Sequence, residues 1–399
     1  MNVPKLRFKE FTDEWKTHKL KDLCTTCGGG TPSKSITEYW TGNIPWISSS
    51  DLESNSIFKI NISKFITTKA ISESATKIIP PNSILIVSRV GVGKVAINYN
   101  ELCTSQDFTN LINIKSNPIF LTYLLKIKME KQIQQTQGTS IKGITTNDIK
   151  NINCTLPNIK EQEKIAKFLT TVDKKITNLE SIITNLENQK KGLLQQIFSQ
   201  KLRFKDKNGN NYPNWEKKKL GDISDVRDGT HDSPKYINNG YPLITSKNIQ
   251  NGKISFDNIN YISKEDYDNI NKRSKVSVGD IIMGMIGTIG NVALLSEENF
   301  AIKNVALFKE KTLLKNIFLI QYLQSDTFYK SINNLNEGGT QKFISLKNIR
   351  NIYIKLPCLE EQTKIADLLS AFDRKLENQK AQLEHWKQIK KGLLQQMFV

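Results

Sequence analysis

Lys190–Gln196 reads KKGLLQQ, and Lys390–Gln396 reads KKGLLQQ again. The match runs backward from both: Leu156-Pro157, Glu161-Gln162, Lys164-Ile165-Ala166 and Asp173 recur 200 positions later as Leu356-Pro357, Glu361-Gln362, Lys364-Ile365-Ala366 and Asp373. A unit repeated at that period, in a chain of 399 residues, means two copies of one architecture, each long enough to bury its own core. A built-in pseudo-twofold axis suits a partner that is itself two-fold, such as a DNA duplex or a pair of identical subunits.

Apolar residues in the repeated segment fall at Ile165, Leu169, Val172, Ile176, Leu179, Ile183, Leu186, Leu193 and Ile197, with Lys190 the polar exception. Steps alternating four and three form a heptad seam. The second copy gives Ile365, Leu369, Phe372, Leu376, Leu383, Trp386, Leu393 and Met397, interrupted by Gln379 and Lys390. Two long helices that zip together are expected, each seam spanning roughly 50 Å at about 1.5 Å per residue. Leu156-Pro157 and Leu356-Pro357 end the preceding strands, and Asn158 is placed to cap the first helix, with Cys358 a poorer cap. Gly192 and Gly392 mark either a close contact or the last helical turn.

Ahead of each helix lie about 130 residues punctuated by Gly, Asn and Ser, a head in each copy. Ser83–Val87 and Lys94–Ile97 read as strands around a turn at Gly91–Gly93, and Ile281–Met285 and Asn291–Leu294 do the same around Gly287–Gly290. The frame repeats while its side chains diverge. The expected fold is therefore α+β: two pseudo-twofold-related mixed α/β domains separated by two long helices that zip together. Its boundaries are 1–150 for the first head with its amino-terminal arm, 151–199 for the first helical spacer, 200–219 for a linker, 220–350 for the second head and 351–399 for the second spacer. Leu202-Arg203-Phe204-Lys205 in the linker echoes Leu6-Arg7-Phe8-Lys9 in the arm.

Before residue 200 there are 26 basic and 17 acidic residues, and after it 31 and 22, so each half carries the same excess of nine positive charges. Two evenly basic bodies point to a polyanion, nucleic acid ahead of membrane. No signal peptide opens the sequence, and no apolar run approaches the roughly 18 residues that a membrane span needs, which leads us to expect a cytoplasmic protein. Five scattered cysteines fit reduced thiols, and Cys24-x-x-Cys27 lacks the further ligands of a zinc site.

Catalytic patterns are weak. His18, His231 and His385 have neither metal-ligand spacing nor a nucleophile motif. Gly93-Lys94 is followed by Val95 rather than Ser or Thr, so a β-turn and not a nucleotide loop is expected; Gly284, Gly287 and Gly290 do not make a dinucleotide fingerprint. Asn117-Pro118-Ile119-Phe120 departs from the N-P-P-F signature of adenine methyltransferases and reads as a helix entrance. Asp173-Lys174-Lys175 and Asp373-Arg374-Lys375 have the D-x-K spacing of many nucleases but fall on the long helices, where charge runs usually face solvent.

What remains is the chemistry of recognition. Arg and Lys suit guanine or phosphate, and Asn and Gln suit adenine. Candidates for DNA contact are Ser33, Lys34, Arg89, Lys94, Gln106, Thr139, Ser140 and Lys142 in the first head, and His231, Lys235, Lys247, Asn248, Lys303, Thr340, Gln341 and Lys342 in the second.

The arrangement resembles the specificity subunit of type I restriction-modification systems over nearly the full chain. The resemblance rests on GGTPSK at Gly29–Lys34, IPWI at Ile44–Ile47, GTH at Gly229–His231, PLITSKNI at Pro242–Ile249, and P-x-x-x-E-Q-x-K-I-A before both long helices. It implies two target recognition domains, each reading half of a bipartite DNA site, separated by the two long helices forming an antiparallel coiled coil. It also implies two modification subunits that use S-adenosylmethionine, and two restriction subunits that use ATP and magnesium. This chain itself would hold no cofactor or metal and perform no catalysis. Residues shared by both copies but off the seam are candidates for docking a modification subunit: Glu161, Gln162, Lys191, Leu194, Gln195, Gln196 and Phe198, with Glu361, Gln362, Lys391, Leu394, Gln395, Gln396 and Phe398. Competing readings are an enzyme acting alone on DNA, which would need a metal or methyl-donor site, and a DNA- or RNA-binding scaffold outside a restriction system.

Overall fold

The computed structural model describes residues 3–135, 143–333 and 343–399. The chain divides into two compact units, Met1–Glu180 with Ala381–Val399, and Ser181–Lys380. Both cuts fall inside the long helices Ile159–Phe198 and Leu359–Gln396, so each unit holds a head, the first part of that head's own helix and the last part of the other copy's helix.

Each head is built on a four-stranded antiparallel sheet. In the first its order is Thr25–Gly28, Phe108–Ile112, Ile84–Val87, Val95–Ile97; in the second, Asp225–Asp228, Val305–Lys309, Ile281–Gly284, Val292–Leu294. The expected hairpins are its last two strands, registered Ile84 with Ile97 and Ile281 with Leu294. Their turns need left-handed backbone, which glycine adopts without steric penalty. The backbone φ is positive at Gly91 and Gly93 in the first turn, and at Gly287 and Gly290 in the second. A second sheet pairs Ile44–Ile47 in parallel with Leu102–Thr104, and its counterpart pairs Tyr241–Ile244 in parallel with Ala301–Ile302. Central strands such as ILIV at 84–87 are buried throughout and read as continuous apolar runs rather than alternating ones.

Asn117 Oδ1 accepts from Phe120 N at 2.9 Å and starts the helix Pro118–Gln135, the entrance expected there. Asn158 Oδ1 caps the first long helix through Glu161 N at 3.0 Å.

The seam does two jobs rather than one. Ile165, Ala166 and Leu169 lie in the core of the first head with Trp15, Leu20, Phe120 and Leu124, and Ile365, Ala366 and Leu369 lie likewise in the second. Only the stretch beyond them is free to zip. At the far ends, Leu194, Ile197 and Phe198 enter the core of the second head, where Phe198 packs edge-on against Trp215, Phe318 and Tyr322. Leu393, Leu394, Met397 and Phe398 do the same for the first head, Phe398 packing on Phe120. Each head is closed by the tail of the other copy's helix. Gly192 and Gly392 make no close contact, a Cβ at either meeting nothing within 4 Å, and the helices run on past both.

Charge sets the helix register. Lys390 Nζ lies 2.5 Å from Asp173 in the first unit, and Lys190 Nζ lies 2.6 Å from Asp373 in the second. The two helices therefore run antiparallel in both. Asp173, expected to face solvent, is buried; its second oxygen accepts from Tyr123 OH at 2.5 Å. Asp373 takes Gln321 Nε2 at 2.8 Å in the same way. The two lysines that interrupt the seam are thus paired with acids on the facing helix, because a buried ammonium needs an anion. Such pairs add little net stability over apolar residues of equal size, but they penalise any register that separates them.

The two sockets differ at two positions, Tyr123 against Gln321 and Lys126 against Gln324. Lys190 donates to Gln324 Oε1 at 2.9 Å, whereas Lys126 borders the same cavity as Asp173 and Lys390, with Ser54 O at 2.6 Å as acceptor. Burial, with repulsion from Lys390 behind it, lowers the Lys126 pKa to about 8.

The side chains of the Asp173 pair are each 10% exposed, whereas that of Asp373 is 42% exposed. Lys390→Ala, which strands a buried carboxylate, is expected to cost about 3–5 kcal/mol in urea unfolding, and Lys190→Ala only about 1 kcal/mol. Equal losses would contradict this account. Lys126 keeps its proton up to about pH 8 when folded and to 10.5 when unfolded, so its burial penalty is complete below pH 8 and fades as pH rises to 10.5. Lys126→Gln should stabilise the protein by about 3 kcal/mol at pH 7, a gain that shrinks across that window in denaturation curves.

Candidate nucleic-acid interface

Each head presents a loop opened by glycine. Gly29 and Gly229 lie against the backbone of Thr104-Ser105 and of Ile302, where a Cβ would collide with carbonyl oxygens. The next residues are tied identically, Gly30 N to Thr104 O at 2.8 Å and Thr230 N to Ile302 O at 3.0 Å. Trp46 Nε1 donates to Gly30 O at 2.9 Å, so IPWI holds GGT in place. Both strands end in a capping box, Ser48 with Asp51 and Thr245 with Asn248, and both are linked to the neighbouring turn, Ser105 N to Ile47 O and Lys303 N to Ile244 O. The motif residues thus build the platform under the loops.

In the first head this platform gathers Arg89 and Gln106, which line one cleft with Gly28, Gly29, Thr109 and Gly143 through Thr146. Thr31 hydrogen-bonds Gln106 from the glycine loop. Arg89, Gln106, Ser33 and Lys34 are exposed; Ser33 Oγ lies 2.8 Å from Ser35 Oγ. Lys94 does not belong with them. Its ammonium donates to Ser49 O at 2.9 Å and Leu52 O at 2.8 Å, closing a loop that backbone bonds alone leave unsatisfied.

In the second head His231 sits between two partners, Nδ1 at 2.8 Å from Asn304 Oδ1 and Nε2 at 3.0 Å from Asp228 Oδ2. Asp228 also takes Arg273, so one carboxylate orients two exposed side chains. Lys303 Nζ donates to Ser233 Oγ at 2.6 Å beside them. Lys235 and Lys247 are exposed. Asn248 is buried, its carbonyl oxygen accepting from Thr245 and its amide reaching Ser255 O at 3.3 Å, so it shapes the turn and has no free edge for a base. Thr139, Ser140, Lys142, Thr340, Gln341 and Lys342 lie outside the described residues.

The sequence reading missed Thr31, Arg273 and Asn304. Arg273 stands in the last turn of Lys264–Ser274, a helix whose charges read as a solvated face; Asn304 offered one signal, an asparagine ahead of a strand, and has left-handed backbone with a positive φ.

Most of the docking candidates are spent inside the molecule. Glu161 is fully buried, accepting from Arg7 Nε at 2.8 Å and Trp15 Nε1 at 3.4 Å; Glu361 accepts from Arg203 Nε at 2.8 Å and Trp215 Nε1 at 2.9 Å. The hydrogen bond to Glu161 raises the pKa of Arg7, and that to Glu361 raises the pKa of Arg203. The echo between arm and linker is explained: both deliver an arginine to the same carboxylate of the repeat. Gln162 and Gln362 accept from Asn117 N and Lys315 N and donate to Pro157 O and Pro357 O. Leu194, Phe198, Leu394 and Phe398 pack into the heads because those cores would otherwise expose aromatic surface. Lys191, Gln195, Gln196, Lys391, Gln395 and Gln396 keep solvent contact.

Cys24 is buried with its thiol pushed up to about 11, chiefly by burial, and donates to Leu20 O at 3.3 Å. Among the described residues no group of three or more His, Cys, Asp or Glu could hold a metal ion, and no helix is long and apolar enough to cross a membrane.

Two evenly matched platforms carrying different polar side chains agree with the comparisons. Residues 12–188 and 212–385 match the family described as type I restriction modification DNA specificity domain, and the chain belongs to that family. The MjaIX specificity subunit of a type I restriction enzyme from Methanocaldococcus jannaschii is 30% identical over 405 residues, covering 96% of this chain and 92% of its own length. The MjaVIII specificity subunit of that organism is 27% identical across 96% and 91%. The fold is shared with the crystal structure of the type I restriction-modification system S subunit from M. genitalium, at a TM-score of 0.63 and 18% identity over 100% of this chain and 99% of that one.

Proposed function

We propose that this chain is the non-catalytic, sequence-reading subunit of a cytoplasmic type I restriction-modification complex. Each head reads one half of a bipartite site in duplex DNA, and the paired helices fix the unread gap. Two modification subunits would bring S-adenosylmethionine for adenine methylation, and two restriction subunits ATP and magnesium. One observation carries the reading: matching glycine-opened platforms gather Thr31, Arg89 and Gln106 in one head and His231, Arg273, Lys303 and Asn304 in the other. The Arg–Glu pairs and glutamines that anchor each head to its helix are duplicated, and residues that would meet bases are not.

The chemistry of these groups fits base edges. Arginine spans the two acceptors of guanine, and the amides of Gln106 and Asn304 match the donor and acceptor of adenine. A formal net charge of +18 supplies the sequence-independent attraction to phosphate and makes binding steeply salt-dependent. Exposed Lys34, Lys235 and Lys247 suit phosphates, which position the heads without reading sequence.

Arg89→Ala is expected to relax one half of the site and Asn304→Ala the other, each by about 1–3 kcal/mol of discrimination, when methylated adenines are mapped across a genome. Loss of both halves from either change would remove the head-by-head reading. Inserting four residues after Ile183 and four after Leu383, between the two Asp–Lys pairs, lengthens each helix by about 6 Å. The mapped motif should keep its half-sites and widen its gap by roughly two base pairs.

A further inference from the structure

Two kinds of ion pair join the long helices, and they differ in symmetry. Asp173–Lys390 and Asp373–Lys190 are one pair made twice, since both copies carry Asp and Lys at the same repeat positions. Glu180–Lys387 at 3.3 Å and Glu187–Lys380 at 2.6 Å are different. Here the first long helix supplies both carboxylates and the second both ammoniums, although the repeat would allow either helix to carry either charge.

The difference matters for what each helix can pair with. In this antiparallel register position 173 of the repeat faces 190, and 180 faces 187. Two first helices from separate chains would keep both Asp173–Lys190 contacts and lose nothing in their seam, since Ile176, Leu179, Ile183 and Leu186 form an unbroken apolar row. They would, however, set Glu180 against Glu187 twice. Two second helices would set Lys380 against Lys387 twice. Like charges at such flanking positions disfavour pairing, and opposite charges favour it.

We propose that the helix pair carries a partner code: the duplicated Asp–Lys pairs fix direction and register whatever the helix, while the unduplicated Glu–Lys pairs admit a first helix beside a second and refuse a second copy of either. The code protects a chain whose duplicated halves would otherwise cross-pair with those of its neighbours. Each Glu–Lys pair is partly exposed and individually weak. Its force lies in the swing from attraction to repulsion, made at both flanking positions in each wrong pairing.

The test exchanges the two charges of one pair. Glu180 also holds Lys59 of the first head at 2.9 Å, so the pair to exchange is Glu187–Lys380. Glu187→Lys with Lys380→Glu retains both attractive contacts within the chain, yet leaves one acid and one base on each helix, so identical helices no longer repel. Tagged and untagged full-length chains are co-expressed in a host without partner subunits, and the untagged chain captured with the tagged one is measured. Capture by the native pair sets the baseline, including dimers in which two chains exchange matched helices. The exchanged variant, melting within a few degrees of the native protein, should raise capture roughly tenfold. Because new charges at 187 and 380 also face Lys191 and Glu384 one turn away, Glu187→Gln with Lys380→Gln is the second variant, expected to give a smaller rise. A folded variant of either kind with capture at the native level overturns the proposal.

Discussion

The architecture depends on burying an ammonium at a heptad position that would ordinarily hold an apolar side chain, beside a carboxylate of the facing helix. Lys390 with Asp173, and Lys190 with Asp373, hold the long helices antiparallel at a single offset. An apolar seam alone tolerates slippage by whole heptads, because each step presents leucine or isoleucine again. A slipped ammonium would meet hydrocarbon and its carboxylate would lose its counter-charge, which costs several kcal/mol. The duplicated pairs thus convert a sticky surface into one defined alignment.

That alignment also builds the heads. Phe198 reaches Trp215 and Phe318, and Phe398 reaches Phe120, only when the helices are in this register. Glu161 and Glu361 complete the arrangement at the opposite helix ends, each gripping an arginine and a tryptophan from the segment that enters its head. Stability and geometry come from the same residues. The polar loop side chains are left free to differ, since none of them is required to hold the frame.

Period and punctuation made the duplication, the hairpins at 84–97 and 281–294, and the long helices legible in the sequence. These follow from local rules of spacing. What escaped was every contact made across long sequence separations. Lys190 looked out of character because its partner is 183 residues away, and Asp173 looked solvated because nothing nearby revealed Tyr123 or Lys390. Shared residues off the seam invited a partner outside the chain, whereas Gln162 and Leu194 find theirs within it. At the candidate interface Arg89, Gln106, His231 and Lys303 could be picked out as polar groups beside glycine turns. Lys94 and Asn248 have the same appearance but are consumed by backbone carbonyls and a capping box. Composition does not distinguish a side chain aimed outward from one closing a turn.

The crossing of the helices separates position along the gene from position in the fold. Ser181–Lys380 contains the whole second head, while Leu393, Met397 and Phe398 belong to the core of the first. A nonsense mutation at the codon for Leu393 would therefore spare the nearer reader and injure the first, unmasking Phe120 far upstream in the sequence.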